Sequence, residues 1–331
     1  MRNKAESREK NMKVRLITIG ITAITIFVIA LFIGPKTINP FNMSEIDREI
    51  LLSIRLPRVI VSVLMGMALG ASGAVLQGIL RNPLADPYIL GISSGAALSA
   101  AIGITMGITF WGIITIPLLA FLGAIITGIF VGIMGWKRGG FLPERLLLAG
   151  VGMGFLASAL LMLIMSISTD EGLRRVTLWI FGDLSLADWS VIPYGVAFII
   201  AGFVISISRA KALNSLILGD ELSHSLGFSP RRERFILFIS IGLMTAASVS
   251  LGGIIGFVGL LIPHIGRFIF GSDSKILIPV SALCGGMLLC IADLIGKSLL
   301  SPMELPAGII TAILGAPYFL YLLRRKDVLT I

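Results

Sequence analysis

The stretch from Val196 to Ala247, "VAFIIAGFVISISRAKALNSLILGDELSHSLGFSPRRERFILFISIGLMTAA", places a charged segment between two apolar runs. The charged segment, from Leu218 to Phe235, holds three acids, one histidine and three arginines. A charge is costly inside a lipid bilayer, so the apolar runs can lie in the membrane while the charged segment must lie outside it. The pattern predicts two membrane helices joined by a polar loop.

The rest of the chain has the same character. Of its 331 residues, 56% are hydrophobic and only 14% are charged, and the mean hydropathy is +0.98. So few charges cannot cover the surface of a soluble protein. Apolar runs recur from Leu16 to Leu323, which excludes a lone signal peptide or a single anchor. We expect an all-α integral membrane protein that forms one domain over residues 1–331.

Polar, proline and glycine breaks divide the apolar sequence into ten predicted transmembrane helices. The eighth helix follows Gly252 and Gly253 and contains Pro263, so we expect it to be partly irregular. The predicted spans are 16–34, 59–79, 89–109, 114–135, 145–167, 190–208, 235–251, 254–270, 276–296 and 306–323.

The basic residues predict the orientation of these spans. With the N-terminus in the cytoplasm, the inner segments hold 20 of the 27 lysines and arginines, against 7 in the outer segments. Positive charge concentrates on the cytoplasmic side of membrane proteins. Both termini, the basic segment 1–15 and the loop 209–234 are therefore predicted to be cytoplasmic. The net charge of +9 then reports orientation rather than binding to nucleic acid.

Few residues in the chain are suited to reaction chemistry or metal binding. There are two histidines, His224 and His264, and no cluster with metal-ligand spacing. Cys284 and Cys290 lie six residues apart, about 120° apart on a helix, so we interpret them as packing residues. We expect no catalytic residue, no metal and no cofactor in this chain.

The sequence also has little that could couple a carrier to an ion gradient. A carrier driven by an ion gradient usually has ionisable groups at mid-membrane, but Asp293 is nearly the only charge within a predicted span. The segment "IADLIGKS" (291–298) resembles the end of a phosphate-binding loop but has Ile291 in place of the first glycine. If a nucleotide supplies energy, a partner protein binds it.

Several longer strings together resemble one known family. The chain is similar to the permease subunits of the ATP-binding-cassette (ABC) importers for iron siderophores, heme and cobalamin, which have ten spans each. The resemblance implies a bacterial cytoplasmic membrane protein that pairs with a second permease subunit, as a homodimer or close heterodimer. It also implies two ATPase subunits, which bind ATP and Mg, and an external substrate-binding protein. The matching strings are "RLPR" (55–58), "SGAVLQGILRNPLADPYILGISSGA" (72–96), "LLLAG" (146–150), "LGDELSHSLG" (218–227), "GFVGLLIPHIGR" (256–267) and "ELPAGIITAILGAPYFLYLL" (304–323).

In this family the loop corresponding to 209–234 transmits ATPase closure to the permease. We predict a short helix bounded by two glycines, with acids in its first turn, where they suit the helix dipole. The alternative is a solvated connector. The residues predicted to couple the ATPase, which we call the coupling segment (219–227), are Gly219, Asp220, Glu221, His224, Ser225, Leu226 and Gly227.

Three basic residues on the predicted outer face match the positions at which the family's permeases receive acidic side chains of the binding protein. These are Arg55, Arg58 and Lys297. Lysine lacks the planar fork of arginine, so the third position departs from the strongest form of this contact. The alternative is that the arginines only anchor the second span at the lipid headgroups.

The resemblance also implies a passage along the dimer axis, lined by the fifth and tenth spans. Residues predicted at the passage and its inner gate are Pro143, Glu144, Leu147, Gly150 and Gly154. Pro143 and Glu144 stand where small hydroxyl residues can occur in the family. Gly150 and Gly154 share one helical face, so either they widen the passage or they pack another helix.

The sequence thus predicts the permease of an ATP-driven importer for an iron complex. A ferric siderophore is the first candidate substrate and heme the second, while cobalamin and an oxyanion such as molybdate follow. An ATP-independent channel or secondary carrier is the alternative from another class. A membrane enzyme comes third, because the chain has no catalytic cluster.

Overall fold

A computed structural model describes residues 2–137 and 140–324, and this part of the chain is almost entirely helical. Two-residue strands at Trp136–Lys137 and Gly140–Phe141 form a small antiparallel hairpin, and a π-helical turn spans Ile50–Arg55. The α-helices of the described residues are α1 Arg2–Phe32, α2 Glu45–Glu49, α3 Leu56–Leu80, α4 Ile92–Thr105, α5 Thr115–Gly135, α6 Pro143–Ser166, α7 Asp170–Ile180, α8 Ile192–Ser208, α9 Ala210–Leu218, α10 Asp220–Ser225, α11 Pro230–Gly252, α12 Val258–Phe270, α13 Ser274–Leu299 and α14 Ala307–Arg324.

Each of the ten predicted spans coincides with one of these helices, although not all are equally long. Six described helical stretches are long and apolar enough to cross a membrane, and α8 with α9 forms a seventh candidate bent by 56°. Helices α4, α12 and α14 are apolar but shorter. Arg138, Arg325 and Lys326, which contribute to the predicted inner positive charge, lie outside the described residues.

Helix α3 is the centre of the bundle and packs against α11, α12 and, most extensively, α13. Its small residues let the backbones approach closely. A Cβ added at Gly66 would overlap the carbonyl of Gly285, and one at Gly70 would overlap the carbonyl of Ser281. The close packing of α3 on α13 thus depends on these glycines.

The start of the eighth predicted span is irregular, as expected. Residues 253–257 are not helical, and α12 begins only at Val258 after Phe257, which has a left-handed φ of 69°. Pro263 lies inside α12, where it cannot donate a backbone hydrogen bond. The helical part of this span is therefore 13 residues long.

The predicted loop 209–234 is more ordered than a connector. It contains α9, α10 and the first turn of α11, separated by short breaks at Gly219 and at residues 226–229. This helical structure positions the coupling segment at the end of the bundle where α8, α9 and α11 meet.

Candidate coupling, docking and passage sites

The coupling segment contains a six-residue helix between two glycines with positive φ. Gly219 has φ 130° and Gly227 has φ 85°, both of which disfavour residues with a side chain. Asp220 and Glu221 occupy the first turn of α10, as predicted. The two glycines therefore set the direction in which α10 leaves α9 and returns to α11.

Asp220 fastens α10 to the bundle. Its carboxylate accepts hydrogen bonds from Arg234 Nη1 at 2.8 Å and Nη2 at 2.6 Å, and it pairs with Arg81 at the end of α3. Arg81 also donates from Nε to the carbonyl of Leu216 at 2.7 Å. The end of α3, the end of α9 and the start of α11 are thus joined at one carboxylate.

Two further contacts hold the same segment in place. The buried hydroxyls of Ser215 on α9 and Ser223 on α10 lie 2.9 Å apart. Arg209 Nη1 donates to the buried Glu233 at 3.3 Å. Together with the Asp220 pairs, these contacts make the coupling segment a rigid extension of α9 and α11.

The ion pairs of Asp220 predict a pH dependence. Partial burial acts to raise the pKa of Asp220, but hydrogen bonds and charges from Arg234 and Arg81 outweigh it and lower the pKa. A depressed pKa contributes stability above the unfolded value of about 3.9, and this stability is lost as the pH falls through the folded value. Protection of the α10 amides, measured as hydrogen exchange relative to the intrinsic rate at each pH, should therefore fall below about pH 4. Asp220→Asn should exchange faster at neutral pH and lose this dependence; an unchanged profile would contradict the role of the carboxylate.

The outer surface of the coupling segment mixes polar and apolar groups. Glu221, His224, Ser225 and Gly227 are exposed, as predicted for an ATPase contact. Leu218, Leu222 and Leu226 are exposed as well, by 65%, 46% and 56%. Leu218 and Leu222 were not among the predicted coupling residues, although the spacing of four residues from Leu218 to Leu222 and Leu226 is a sign of one apolar helical face.

The three cations predicted to dock a binding protein are buried. Arg55, at the end of the π-helical turn, donates from Nη1 to the carbonyls of Leu31 and Phe32 at 3.0 Å, and from Nη2 to the carbonyl of Lys36. Lys297 donates from Nζ to the carbonyl of Ala30 at 3.0 Å. Both side chains tie the end of α1 to the bundle. Neither is exposed as a simple headgroup anchor would be.

Arg58 forms the most complete buried ion pair among the described residues. Its Nε contacts both oxygens of Asp293, at 2.9 and 3.1 Å, and its Nη2 lies 2.8 Å from Asp293 Oδ1. Its Nη1 donates to Glu304 at 2.7 Å. Asp293 was noted in the sequence as a rare charge within a span, but no sequence signal connected it or Glu304 to Arg58.

The turn between α3 and α4, "RNPLADP" (81–87), is held by hydrogen bonds to its own side chains. Asn82 accepts a hydrogen bond from the backbone of Leu84 at 2.9 Å, and Asp86 accepts one from Tyr88 at 2.9 Å. Gln77 fastens the turn to α12 through the carbonyls of Ala85, Gly259 and Leu260. Burial raises the pKa of Asp86 to about 6 even though backbone hydrogen bonds act against this.

The predicted gate residues begin α6. Pro143 occupies the first turn, where its missing N–H costs nothing, and Glu144 is exposed beside it. Leu147 is half-buried one turn later. These three residues lie at the end of α6 that follows the hairpin.

Gly150 lies in close contact with the turn before α4, and its place at the passage stays a prediction. A Cβ at Gly150 would lie 2.5 Å from the carbonyl oxygen of Ile89 and 2.8 Å from Leu90 Cα. At Gly154 an added Cβ would be 3.8 Å from Ser94 Oγ, which is ordinary contact. Both glycines thus face residues 89–94 of the same chain, at the turn before α4 and its first residues.

A different face of α6 is uncovered. Leu148, Phe155 and Met162 are exposed by 74%, 73% and 70%, and they recur every seven residues. Such spacing places them on one side of the helix, opposite the packed glycines. The sequence does not mark this face, because residues 146–166 are all apolar or small.

In the described ranges 2–137 and 140–324, no group of three or more histidines, cysteines or acids is placed to hold a metal ion. His264 is buried beside Phe268, with ring centroids 5.0 Å apart.

Comparison with known proteins identifies the family of this chain. Residues 21–325 match the FecCD transport family. The chain belongs to this family. This FecCD permease is 38% identical over 301 residues to the hemin transport system permease protein HmuU of Yersinia pestis, with 90% of each chain covered. It is 34% identical to the vitamin B12 import system permease protein BtuC of Vibrio cholerae, over 92% of this chain and 91% of that one.

The fold of this FecCD permease also occurs in a solved structure. That structure is an inward-facing chain assigned to the metal-chelate type of ABC transporter, with a TM-score of 0.86 and 29% identity. The match covers 94% of this chain and 99% of the other. The protein is therefore a multi-pass permease of the ABC transporter class in the cytoplasmic membrane, and the predicted family is confirmed.

Proposed function

We propose that this FecCD permease is the membrane subunit of an ATP-driven importer for an iron complex. A ferric siderophore is the first candidate substrate and heme the second, while cobalamin and molybdate are less favoured. A relative named for hemin and a structural neighbour of the metal-chelate type support an iron or metal complex. Uptake of radioactive iron as a siderophore complex or as heme, by cells that express the complete transporter, separates the two leading candidates.

The proposed topology has ten spans with both termini in the cytoplasm. The correspondence between predicted spans and helices supports it, as does the excess of basic residues on one side. Two copies would pair with the uncovered face of α6 turned toward the dimer axis. Two ATPase subunits that bind ATP and Mg would contact the coupling segment from the cytoplasm.

The observation that carries this function is the coupling segment itself. It is a short helix with exposed leucines, held by ion pairs to Arg81 and Arg234 at the ends of two core helices. A displacement of such a rigid extension would be transmitted to α3 and α11 and would not be lost in movement of the loop. An ATP-independent channel or carrier would not need it.

The coupling role predicts the effect of changes that leave the bundle folded. Leu222→Glu and Glu221→Lys alter exposed side chains, so thermal stability should hardly change. Copurification of the ATPase with Leu222→Glu should weaken at least about tenfold, as for the loss of an interface hot spot. Gly227→Leu should reduce substrate-stimulated hydrolysis, because leucine disfavours the φ of 85° at this position.

The matched control for Leu222→Glu is Leu173→Glu, which changes a leucine that is 38% exposed on α7, outside the coupling segment. It should retain the ATPase and normal hydrolysis. If Leu222→Glu and Glu221→Lys also retained both, the coupling segment would not be the ATPase contact.

The passage can be tested with cysteines on the two faces of α6, in a chain whose Cys284 and Cys290 are replaced by alanine. Phe155→Cys on the uncovered face should react with a small water-soluble thiol reagent at a rate that changes with ATP. Gly154→Cys should be protected, because its side chain would face Ser94 in ordinary contact. Ile126→Cys, on an exposed face of α5, controls for contact with lipid. Equal labelling of Phe155→Cys and Ile126→Cys would move the passage away from α6.

Docking of a substrate-binding protein through Arg55, Arg58 and Lys297 stays a prediction. The burial of these cations means that a partner's acid would have to replace a contact within the chain, such as that of Glu304, which is 38% exposed at its side chain. Reversing the charges of Arg55 and Arg58 would therefore disturb folding as well as docking. Glu304→Gln is the cleaner probe, since it removes the ion pair at Nη1 of Arg58 and keeps the pair with Asp293.

A further inference from the structure

Helices α5 and α11 leave an apolar groove of about 460 Å³ between them on the outside of the bundle. Six residues of α5 line it, in pairs at intervals of four, and five residues of α11 follow one helical face toward it. We call this the α5–α11 groove; the residues used below are Gly128, Gly132, Trp136, Phe235, Phe238 and Gly242.

The glycines of this groove differ from those at the centre of the bundle. A Cβ at Gly242 would meet nothing within 4 Å, and one at Gly128 would reach only ordinary contact with Ile92, at 3.7 Å. At Gly66 and Gly70, by contrast, neighbouring backbone leaves no room for a Cβ. Gly128 and Gly242 are therefore not needed for helix contact within the chain, but they do keep the groove open.

The end of the groove beside the hairpin is aromatic and then basic. Trp136 and Phe235 pack edge to face with ring centroids 5.9 Å apart. One turn before Phe235, the stem of Arg231 lies against the hairpin, where a Cβ at Gly140 would be 2.7 Å from Arg231 Cδ. Tryptophan and arginine at the end of an apolar surface are typical of the boundary between hydrocarbon and headgroups.

The guanidinium of Arg231 has no acid partner among residues 2–137 and 140–324, whereas Glu233 and Arg234 in the same part of α11 are paired. Glu233 is buried with Arg209, and Arg234 binds Asp220. Arg231 is exposed. It also lies in the first turn of α11, where the helix dipole adds partial positive charge.

The length of the groove fits one lipid chain. From Arg231 to Gly242 the helix rises about 16 Å at 1.5 Å per residue. Half of the hydrocarbon core of a bilayer is about 15 Å thick. An acyl chain whose phosphate lies at Arg231 would thus end near Gly242, at the middle of the membrane.

We propose that the α5–α11 groove binds one anionic phospholipid, with an acyl chain along Gly128, Gly132 and Gly242 and its phosphate at Arg231. This lipid would belong to the cytoplasmic leaflet of the membrane, an assignment that rests on the proposed topology. Binding itself rests only on the groove and its basic end, so it can be tested without transport.

The test is native mass spectrometry of the full-length chain in detergent, titrated with phosphatidylglycerol, phosphatidylcholine or inorganic phosphate. The wild type should bind one phosphatidylglycerol more tightly than phosphatidylcholine. Gly242→Leu should abolish this binding, because leucine fills the groove. Arg231→Gln should weaken it about fivefold, the factor that corresponds to one basic side chain at an anionic surface.

Two matched controls should bind like the wild type. Gly20→Leu places the same side chain at another open glycine, on α1, and Arg232→Gln removes the adjacent exposed charge. Retained binding in Gly242→Leu, or equal loss in Gly20→Leu, would overturn the proposal. Full competition by inorganic phosphate would also overturn the proposal and would indicate a site for a free anion. If Gly242→Leu dissociated an oligomer, the groove would instead be an interface with a second protein chain.

Discussion

Replacement of Gly70 by leucine should prevent most molecules of the protein from folding. Gly70 lies where α3 crosses α13, and an added Cβ would overlap the carbonyl of Ser281. Overpacking against movable side chains costs about 1–3 kcal/mol. Here the obstacle is backbone, so the helices must separate and the cost should exceed that range. The loss would be large relative to a total stability of about 5–15 kcal/mol.

The measurement is the monodisperse fraction in detergent together with the thermal unfolding midpoint. Gly152→Leu on α6 is the matched control, since a Cβ at that position meets nothing within 4 Å. It should behave like the wild type in both measurements. Equal yields and midpoints for Gly70→Leu and Gly152→Leu would show that the crossing of α3 and α13 is looser than the structure indicates.

The second large effect is expected at Asp293. Asp293→Leu would leave Arg58 buried with Glu304 as its remaining acid partner. Removing one member of a buried ion pair typically costs about 3–5 kcal/mol, because the other charge stays out of water. The unfolding midpoint should fall accordingly.

The combination of Arg58→Leu with Asp293→Leu should recover most of this loss, since the buried guanidinium is then gone and Glu304, which loses its partner, is 38% exposed at its side chain. Glu171→Leu on α7 is a control, because it breaks a pair with Arg175 that is exposed on both sides. It should change stability by less than about 1 kcal/mol. A double variant as unstable as Asp293→Leu would mean that Asp293 acts through packing and not through its charge.

The surroundings of Asp220 show how much of the candidate sites the sequence could predict. The coupling segment was predictable because its glycines, acids and helix are consecutive, so local geometry and family resemblance point to the same residues. The partners of Asp220 were not, because Arg81 lies 139 positions away in the chain. Local sequence contains no information on which distant charge a carboxylate will meet.

The ten apolar segments and their helical form follow from the sequence alone, because lipid requires backbone groups to bond within a helix and excludes charge. The burial of Arg55, Arg58 and Lys297 was decided by tertiary structure. These residues look like exposed flanking cations until α1, α13 and the segment before α14 supply carbonyls and carboxylates to them. The same holds for glycine, which has no side chain to mark its role: Gly70 touches a neighbouring backbone, Gly152 meets open space, and only the packing of the helices distinguishes them.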